Sequence, residues 1–163
     1  CRHPIVAQIH GVCVGGGLEI AALCDLRICG AGSRFGAPIN KLGLVMAYAE
    51  MAPLVRLVGT GIALEILLEG RVFDAAEAKE KGLVTRVVPD AEVAAEAQAT
   101  AHRIADGAPL AARWHKKFAR RLADPQPLTD AEYDECFDCF DTEDFRIGYA
   151  AFLAKHKPEF VGR

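Results

Sequence analysis

The sequence predicts an α/β fold over residues 1–89 followed by an all-helical region over residues 90–163. Three observations carry that reading. Short apolar or β-branched runs alternate with helix-like runs in the first half, the pattern of stacked β and α layers. Glycines and prolines punctuate the changes of element. After Pro89 every segment is alanine-rich or carries apolar residues at helical spacing, and no strand pattern returns.

In chain order, Pro4–His10 reads as a buried strand, Gly16–Cys24 as a helix and Leu26–Cys29 as a short strand. Ser33–Gly36 is a second extended piece, and residues 37–46, with Pro38 and Gly43, read as a loop. A helix from Tyr48 to Val58 is expected to break at Gly59-Thr60-Gly61 and to resume from Ile62 to Leu68. Val72-Phe73 is extended. Asp74 is placed to cap a helix over Ala75–Lys81, Gly82 to end it, and Leu83–Val88 to return as a strand. The second half offers helices at Ala91–Asp106, Pro109–Leu122, Thr129–Phe140 and Glu143–His156, parted by Gly107, an Asp124-Pro125-Gln126-Pro127 turn and Asp141-Thr142.

With 52% hydrophobic and 25% charged residues, the 163-residue chain has the composition of a soluble globular domain. A formal net charge of -3 and a pI near 6.0 give no broad attraction for nucleic acid or an anionic membrane, which sets both aside as partners. Runs such as Val12–Val14 and Ile62–Leu68 are too short to span a bilayer. The first residues lack the layout of a signal peptide, so the expected location is cytoplasmic. The six cysteines, Cys1, Cys13, Cys24, Cys29, Cys136 and Cys139, sit mostly in apolar runs, as reduced, buried thiols do. Cys136 and Cys139 have C-x-x-C spacing but no second such pair, a weak zinc or redox signal. The chain opens without Met and enters a core strand almost at once, which points to a preceding segment in the natural protein or in another polypeptide.

Residues 11–19, Gly-Val-Cys-Val-Gly-Gly-Gly-Leu-Glu, set three glycines between a strand-like and a helix-like run. Glycine admits close approach of a ligand, and the first turn of a helix leaves amide N–H groups without intrahelical partners. Such donors can hold an oxyanion. Glu19, in the first turn, is placed to exchange a proton with the bound group, and its charge favours the positive helix end.

That segment is followed in order by Cys24-Asp25-Leu26-Arg27-Ile28, by Phe35-Gly36-Ala37-Pro38 and by Lys41-Leu42-Gly43. The series resembles the enoyl-CoA hydratase/isomerase family, or crotonase superfamily. The likeness continues through Leu57-Val58-Gly59, through Ala76, Ala78 and Gly82-Leu83-Val84, and through Ala151, Phe152, Lys155 and Lys157-Pro158. It implies a partial spiral of β-β-α turns, its N-terminal turns absent, over residues 1–89. The helices of residues 90–163 would then serve oligomerisation, usually in trimers or hexamers, and act as a lid. The implied substrates are acyl-CoA thioesters of fatty acid metabolism, with coenzyme A as part of the substrate and neither a further cofactor nor a metal.

In that family two backbone N–H groups hold the thioester oxygen as it becomes an enolate. The second maps onto Gly16. The first, with much of the loop that receives the CoA adenine, falls upstream of this chain, and loss of one such donor typically slows reaction about a hundred- to a thousand-fold. The resemblance further implies substrate contacts at Gly15, Gly17, Pro38, Ile39 and Leu44, and a reach of Lys155 toward a CoA phosphate, in its own or a neighbouring subunit.

Hydratases of the family grip one water between two glutamates. Glu19 matches the first, but Ile39 occupies the second place, and isoleucine neither accepts a proton nor orients water. Other branches put a carboxylate on the following loop or helix start. There this chain has Ala47, with Tyr48 and Glu50 as nearby candidates, although Glu50 reads first as a helix-favouring first-turn carboxylate. The expected chemistry is therefore isomerisation or a specialised hydration or lyase step rather than standard hydration. The alternative is a non-catalytic CoA-binding or scaffolding subunit. A Rossmann domain fits poorly, because the glycines are contiguous and G-x-G-x-x-G is absent. The five histidines form no triad or metal-ligand spacing. Lys116-Lys117 and Arg120-Arg121 read as a solvated helical face, and Phe137 and Phe140 as core aromatics or as lining of the acyl passage.

Overall fold

Two strands and a helix recur as a unit from Val6 onward in the computed structural model, which describes residues 1–163. The first turn is β1 (Val6–Ile9), β2 (Val12–Val14) and α1 (Gly16–Leu23); the second is β3 (Leu26–Gly30), β4 (Arg34–Gly36) and α2 (Tyr48–Glu69). A shorter third turn holds β5 (Phe73–Asp74), α3 (Ala75–Glu80) and β6 (Arg86–Val88). Each strand lies beside its counterpart from the preceding turn. One sheet has the order β1-β3-β6, all parallel, with Val6 opposite Leu26 and Ile28 opposite Arg86. The other has the order β2-β4-β5, with Val12 opposite Arg34 in parallel and Phe35 opposite Phe73 in antiparallel pairing. This is the expected β-β-α spiral.

The chain forms two compact units, Ile5–Thr100 and Cys1–Pro4 with Ala101–Arg163. The division falls inside α4 (Val93–Ala105) rather than at 89/90, and it assigns the first four residues to the helical unit. The core of the first unit gathers Ile9, Cys13, Leu18, Phe35, Leu54 and Leu83, with Phe35 and Phe73 stacked at 6.5 Å. Leu83 and Val84 were expected in the last strand. They are buried but precede it, and Thr85 donates its N–H to Arg27 O at 2.8 Å instead of extending the ladder.

Residues 37–46 are more regular than a loop. Pro38–Leu42 form a 3-10 helix, begun by Pro38 and closed where Gly43 N–H reaches Asn40 O at 3.1 Å. The expected break in the long helix falls at Gly59, whose φ of 78° and ψ of 161° no helical residue adopts. By length and composition α2, with a mean hydropathy of 1.7 in its most apolar window, is long enough to cross a bilayer, unlike the short runs read from the sequence. It is interrupted at Gly59, and Leu54, Ala63, Ile66 and Leu67 pack it into the core. Asp74 caps α3 as expected, accepting Glu77 N–H at 2.9 Å.

The helical unit contains α5 (Pro109–Arg121), α6 (Asp130–Asp134) and α7 (Glu143–Ala154). The continuous helix expected over Thr129–Phe140 divides instead into α6 and a 3-10 helix, Glu135–Asp141. Thr129 and Glu132 bond reciprocally at its start, Glu132 N–H to Thr129 Oγ1 at 3.3 Å and Thr129 N–H to the Glu132 carboxylate at 2.8 Å. Polar fasteners hold this unit. Lys117 Nζ meets Glu135 at 2.5 Å, Arg121 pairs with Glu132, and Lys116 Nζ donates to His3 O at 2.6 Å. The buried Asp144 carboxylate accepts the N–H groups of Val161 at 2.7 Å and Gly162 at 3.0 Å.

Two sequence expectations are corrected here. Phe137 and Phe140 are exposed rather than core, and with Phe145 and Tyr149 they form a surface ladder whose successive ring centroids lie 6.3, 4.9 and 6.2 Å apart. Only Cys13 and Cys29 among the six free cysteines are buried; burial raises both thiols, Cys29 to about 11, while Cys1 and Cys136 are exposed.

Candidate active site

The site is built at the start of α1. Gly15 precedes the helix with φ of 52° and ψ of −123°, a conformation a side chain would strain, and donates its N–H to Gly36 O at 3.0 Å, tying the helix start to the end of β4. The first helix-closing bond runs from Glu19 N–H to Gly15 O at 3.1 Å. The amides of Gly16, Gly17 and Leu18, ahead of it, have no acceptor one turn back in the helix. A Cβ built on Gly15 or Gly16 would meet nothing within 4 Å, so neither glycine is packed against a neighbour on that side. Gly17 is closed beneath by the Cys13 thiol, 4.0 Å from such a Cβ.

Glu19 is half-buried in the same turn, and its carboxylate carries no hydrogen bond or ion pair. An N–H without a helical acceptor and an unpartnered carboxylate therefore share one helix start, whose dipole favours negative charge. Leu18 and Ala21 anchor the opposite face of α1 in the core.

Arg27 holds the far end of the helix. It is only 6% exposed, and its guanidinium donates to Cys24 O at 2.5 Å and Ala21 O at 3.4 Å at the end of α1, and to Leu83 O at 2.9 Å. Burial lowers its pKa from the ordinary arginine value, against the nearby Cys24 and Asp25, which raise it. Sequence reasoning quoted Arg27 within a motif but gave it no role. The signal was a cation just beyond a helix C-terminus.

The other predicted positions divide. Pro38 begins the 3-10 helix, and the Ile39 side chain packs against the core. Leu44 is exposed, with its N–H bonded to Ile39 O at 3.1 Å, and Tyr48 is 95% exposed, its hydroxyl without a partner. Glu50 accepts Ala47 N–H at 2.9 Å and so caps α2. Lys155 belongs to the helical unit, where it ends α7 in a left-handed conformation with φ of 56°. His10 is exposed and bonded to the Gln8 amide at 2.9 Å. No group of three His, Cys, Asp or Glu residues is placed to hold a metal ion.

Parallel β-β-α turns stacked in this register, with a glycine-opened helix and one carboxylate in its first turn, define an α/β protein of the crotonase fold. The chain belongs to the enoyl-CoA hydratase/isomerase family, whose model matches residues 1–163. It is similar to the crystal structure of an enoyl-CoA hydratase/carnithine racemase from Magnetospirillum magneticum, with a TM-score of 0.98 and 55% identity over 100% of this chain and 61% of that one. Among curated relatives, it is 37% identical to "Probable enoyl-CoA hydratase echA8" of Mycobacterium bovis over 99% of this chain and 64% of the relative. It is 36% identical to "Crotonyl-CoA hydratase" of Syntrophomonas wolfei over 98% of this chain and 63% of the relative. The chain thus spans somewhat under two-thirds of the length of the relatives it matches.

Proposed function

We propose that this chain carries the enolate-forming part of an acyl-CoA enzyme. The observation that carries the reading is the pairing, in one helical turn, of a Gly16 amide without an acceptor and an unpartnered Glu19 carboxylate. The thioester oxygen accepts the Gly16 N–H, and the α1 dipole adds to the stabilisation of the developing negative charge. Glu19 takes a proton from carbon, and the C–H electron pair moves to the thioester oxygen as the enolate forms. Return of the proton to another carbon of the conjugated enolate shifts the double bond.

Ile39 supports isomerisation, or a specialised hydration or lyase step, over standard hydration, since it packs against the core and supplies no second carboxylate. Tyr48 and Glu50 stay secondary candidates, Glu50 with a capping bond to give up first. The exposed apolar residues of the helical unit, Phe152 and Leu153 among them, support assembly as a homotrimer or hexamer.

The test uses the natural polypeptide that contains this sequence, assayed with 2-enoyl-CoA and 3-enoyl-CoA thioesters. Turnover of the 3-enoyl substrate is expected to fall about 10²- to 10⁴-fold in Glu19→Gln. Unchanged turnover removes the role of Glu19. Faster hydration of the 2-enoyl thioester than isomerisation by the unaltered protein overturns the isomerase reading. Acyl-CoA binding by calorimetry without any turnover replaces it with the scaffolding subunit.

A further inference from the structure

The C-x-x-C pair takes its meaning from the helix that carries it. On an α-helix, as the sequence suggested, Cys136 and Cys139 would be turned about 60° from one another. They lie instead in the 3-10 helix Glu135–Asp141. Three residues complete a turn there, so side chains at i and i+3 stand one above the other, and three rises of about 2.0 Å set the two Cα atoms about 6 Å apart. Disulfides span Cα separations of about 4.4–6.8 Å. The next residues along show the same register directly, since Phe137 and Phe140 stack with centroids 6.3 Å apart and planes at 22°.

Both thiols are free, and both point back along the helix. Cys139 Sγ donates to Cys136 O at 3.4 Å, so the second sulfur already sits over the residue that carries the first. Cys136 Sγ is held one turn away by Tyr133 O at 3.1 Å, a weak thiol bond that rotation about χ1 gives up. Burial raises the Cys13 and Cys29 thiols and leaves them little thiolate, the form that attacks a disulfide, which sets those two aside. No third ligand of this chain joins the pair to hold a metal ion. The whole arrangement is set between Tyr133 and Thr142, whatever precedes Cys1.

We propose that Cys136 and Cys139 form a reversible disulfide within the 3-10 helix, with a low-molecular-weight disulfide such as oxidised glutathione as the oxidant. The site is independent of the enolate reading, since α1 takes no part. The Cys136 thiolate attacks one glutathione sulfur and expels the other as a thiolate. The Cys139 thiolate then attacks the mixed disulfide at the Cys136 sulfur and expels the second. The cysteines lose two protons and two electrons, and the oxidant becomes two glutathione thiols. The bridge fixes Cys139 O, which accepts Thr142 Oγ1 at 2.7 Å and Thr142 N–H at 3.3 Å, so oxidation stiffens the start of α7.

The natural polypeptide that contains this sequence is equilibrated in glutathione buffers of graded ratio, trapped with iodoacetamide, digested and analysed by mass spectrometry, so that access to the thiols is tested with their geometry. Both alkylation sites are expected to vanish together, with the loss of two hydrogens, and to return in dithiothreitol. The equilibrium constant for the bridge is expected to be about tenfold or more larger in the folded protein than in urea, where the 3-10 winding is lost. Hydrogen exchange of the Thr142 amide is expected to slow several-fold on oxidation, and to be unaffected by the same buffers in Cys136→Ser. Thiols still free at the most oxidising ratio, glutathione on both cysteines without a bridge, a bridge from either to another cysteine, or an equilibrium constant no larger than in urea overturns the proposal. So does zinc retained by the two thiolates, or exchange at Thr142 unaltered by oxidation.

Discussion

Residues 5–100 bury Leu18, Ile28, Phe35, Leu54 and Leu83 almost completely, whereas the unit of residues 1–4 and 101–163 buries only Asp144 and Ala151. The first unit is organised by apolar packing around stacked strands, and the start of α1 sits on that base. The second has strongly amphipathic helices, yet α5 contains no fully buried residue. Its shape depends on Asp144, on the pairs Lys117–Glu135 and Arg121–Glu132, and on Lys157 with Asp106 at 2.9 Å. Rigid placement of the candidate site therefore comes from hydrophobic burial, while the helical unit is held by a small number of polar bonds.

The contrast can be broken or sharpened by substitution, beginning with its largest expected effect. Phe35→Ala removes a side chain 1% exposed and stacked on Phe73, and is expected to lower stability by about 3–5 kcal/mol in denaturant unfolding. The same truncation at Phe140, 52% exposed, is expected to change it by less than about 1 kcal/mol. Equal losses at the two positions would show that the helical unit has a core of its own.

Asp144→Ala comes next. It strips the acceptor from the Val161 and Gly162 amides and should cost about 1–3 kcal/mol. Hydrogen exchange is expected to accelerate at those two amides and leave the α/β unit unchanged. A global loss of protection would contradict the separation of the units.

The smallest effect is a pH dependence. Arg121, helped by the Thr129 N–H, holds the Glu132 carboxyl at about 2, below its ordinary 4.5. The folded value is depressed, so the bridge contributes in full above pH 4.5 and its contribution fades as pH falls toward 2. Both side chains keep contact with solvent, 24% and 29% exposed, which screens the pair and keeps the effect small. Glu132→Gln should flatten the acid side of the stability profile slightly, as followed by circular dichroism, and an unchanged profile would remove the bridge from the fasteners.

Much of the α/β unit was legible because its signals are local. Asp74 caps three residues ahead, Gly59 breaks the helix where it stands, and the glycines before Glu19 mark a helix start. What escaped was decided at a distance or by small geometric differences. Leu83 and Val84 read as strand because they are apolar, but Thr85 is captured by Arg27, 58 residues earlier. Apolar spacing over Glu135–Asp141 cannot separate three residues per turn from 3.6, and that stretch became a 3-10 helix. Arg27 itself needed Leu83 O, far along the chain, before its role could be seen. The exposure of Phe137 and Phe140 was hidden for the same reason, since helical spacing says which residues share a face and not whether anything covers it.

The Asp144 bond also closes a ring without a covalent link. α7 has twelve residues and rises about 18 Å, and the chain then runs back so that Arg163 meets Glu143 at 2.7 Å and Phe160 crosses over Gly148. The tail is thus a backstay to the helix, and lifting either end strains the other. Closure entropy grows only with the logarithm of loop length, so a few residues inserted between Lys155 and Phe160 would hardly weaken the ring. Loss of the single carboxylate would leave the Arg163–Glu143 pair and the bond from Asp144 N–H to Arg163 O to hold it.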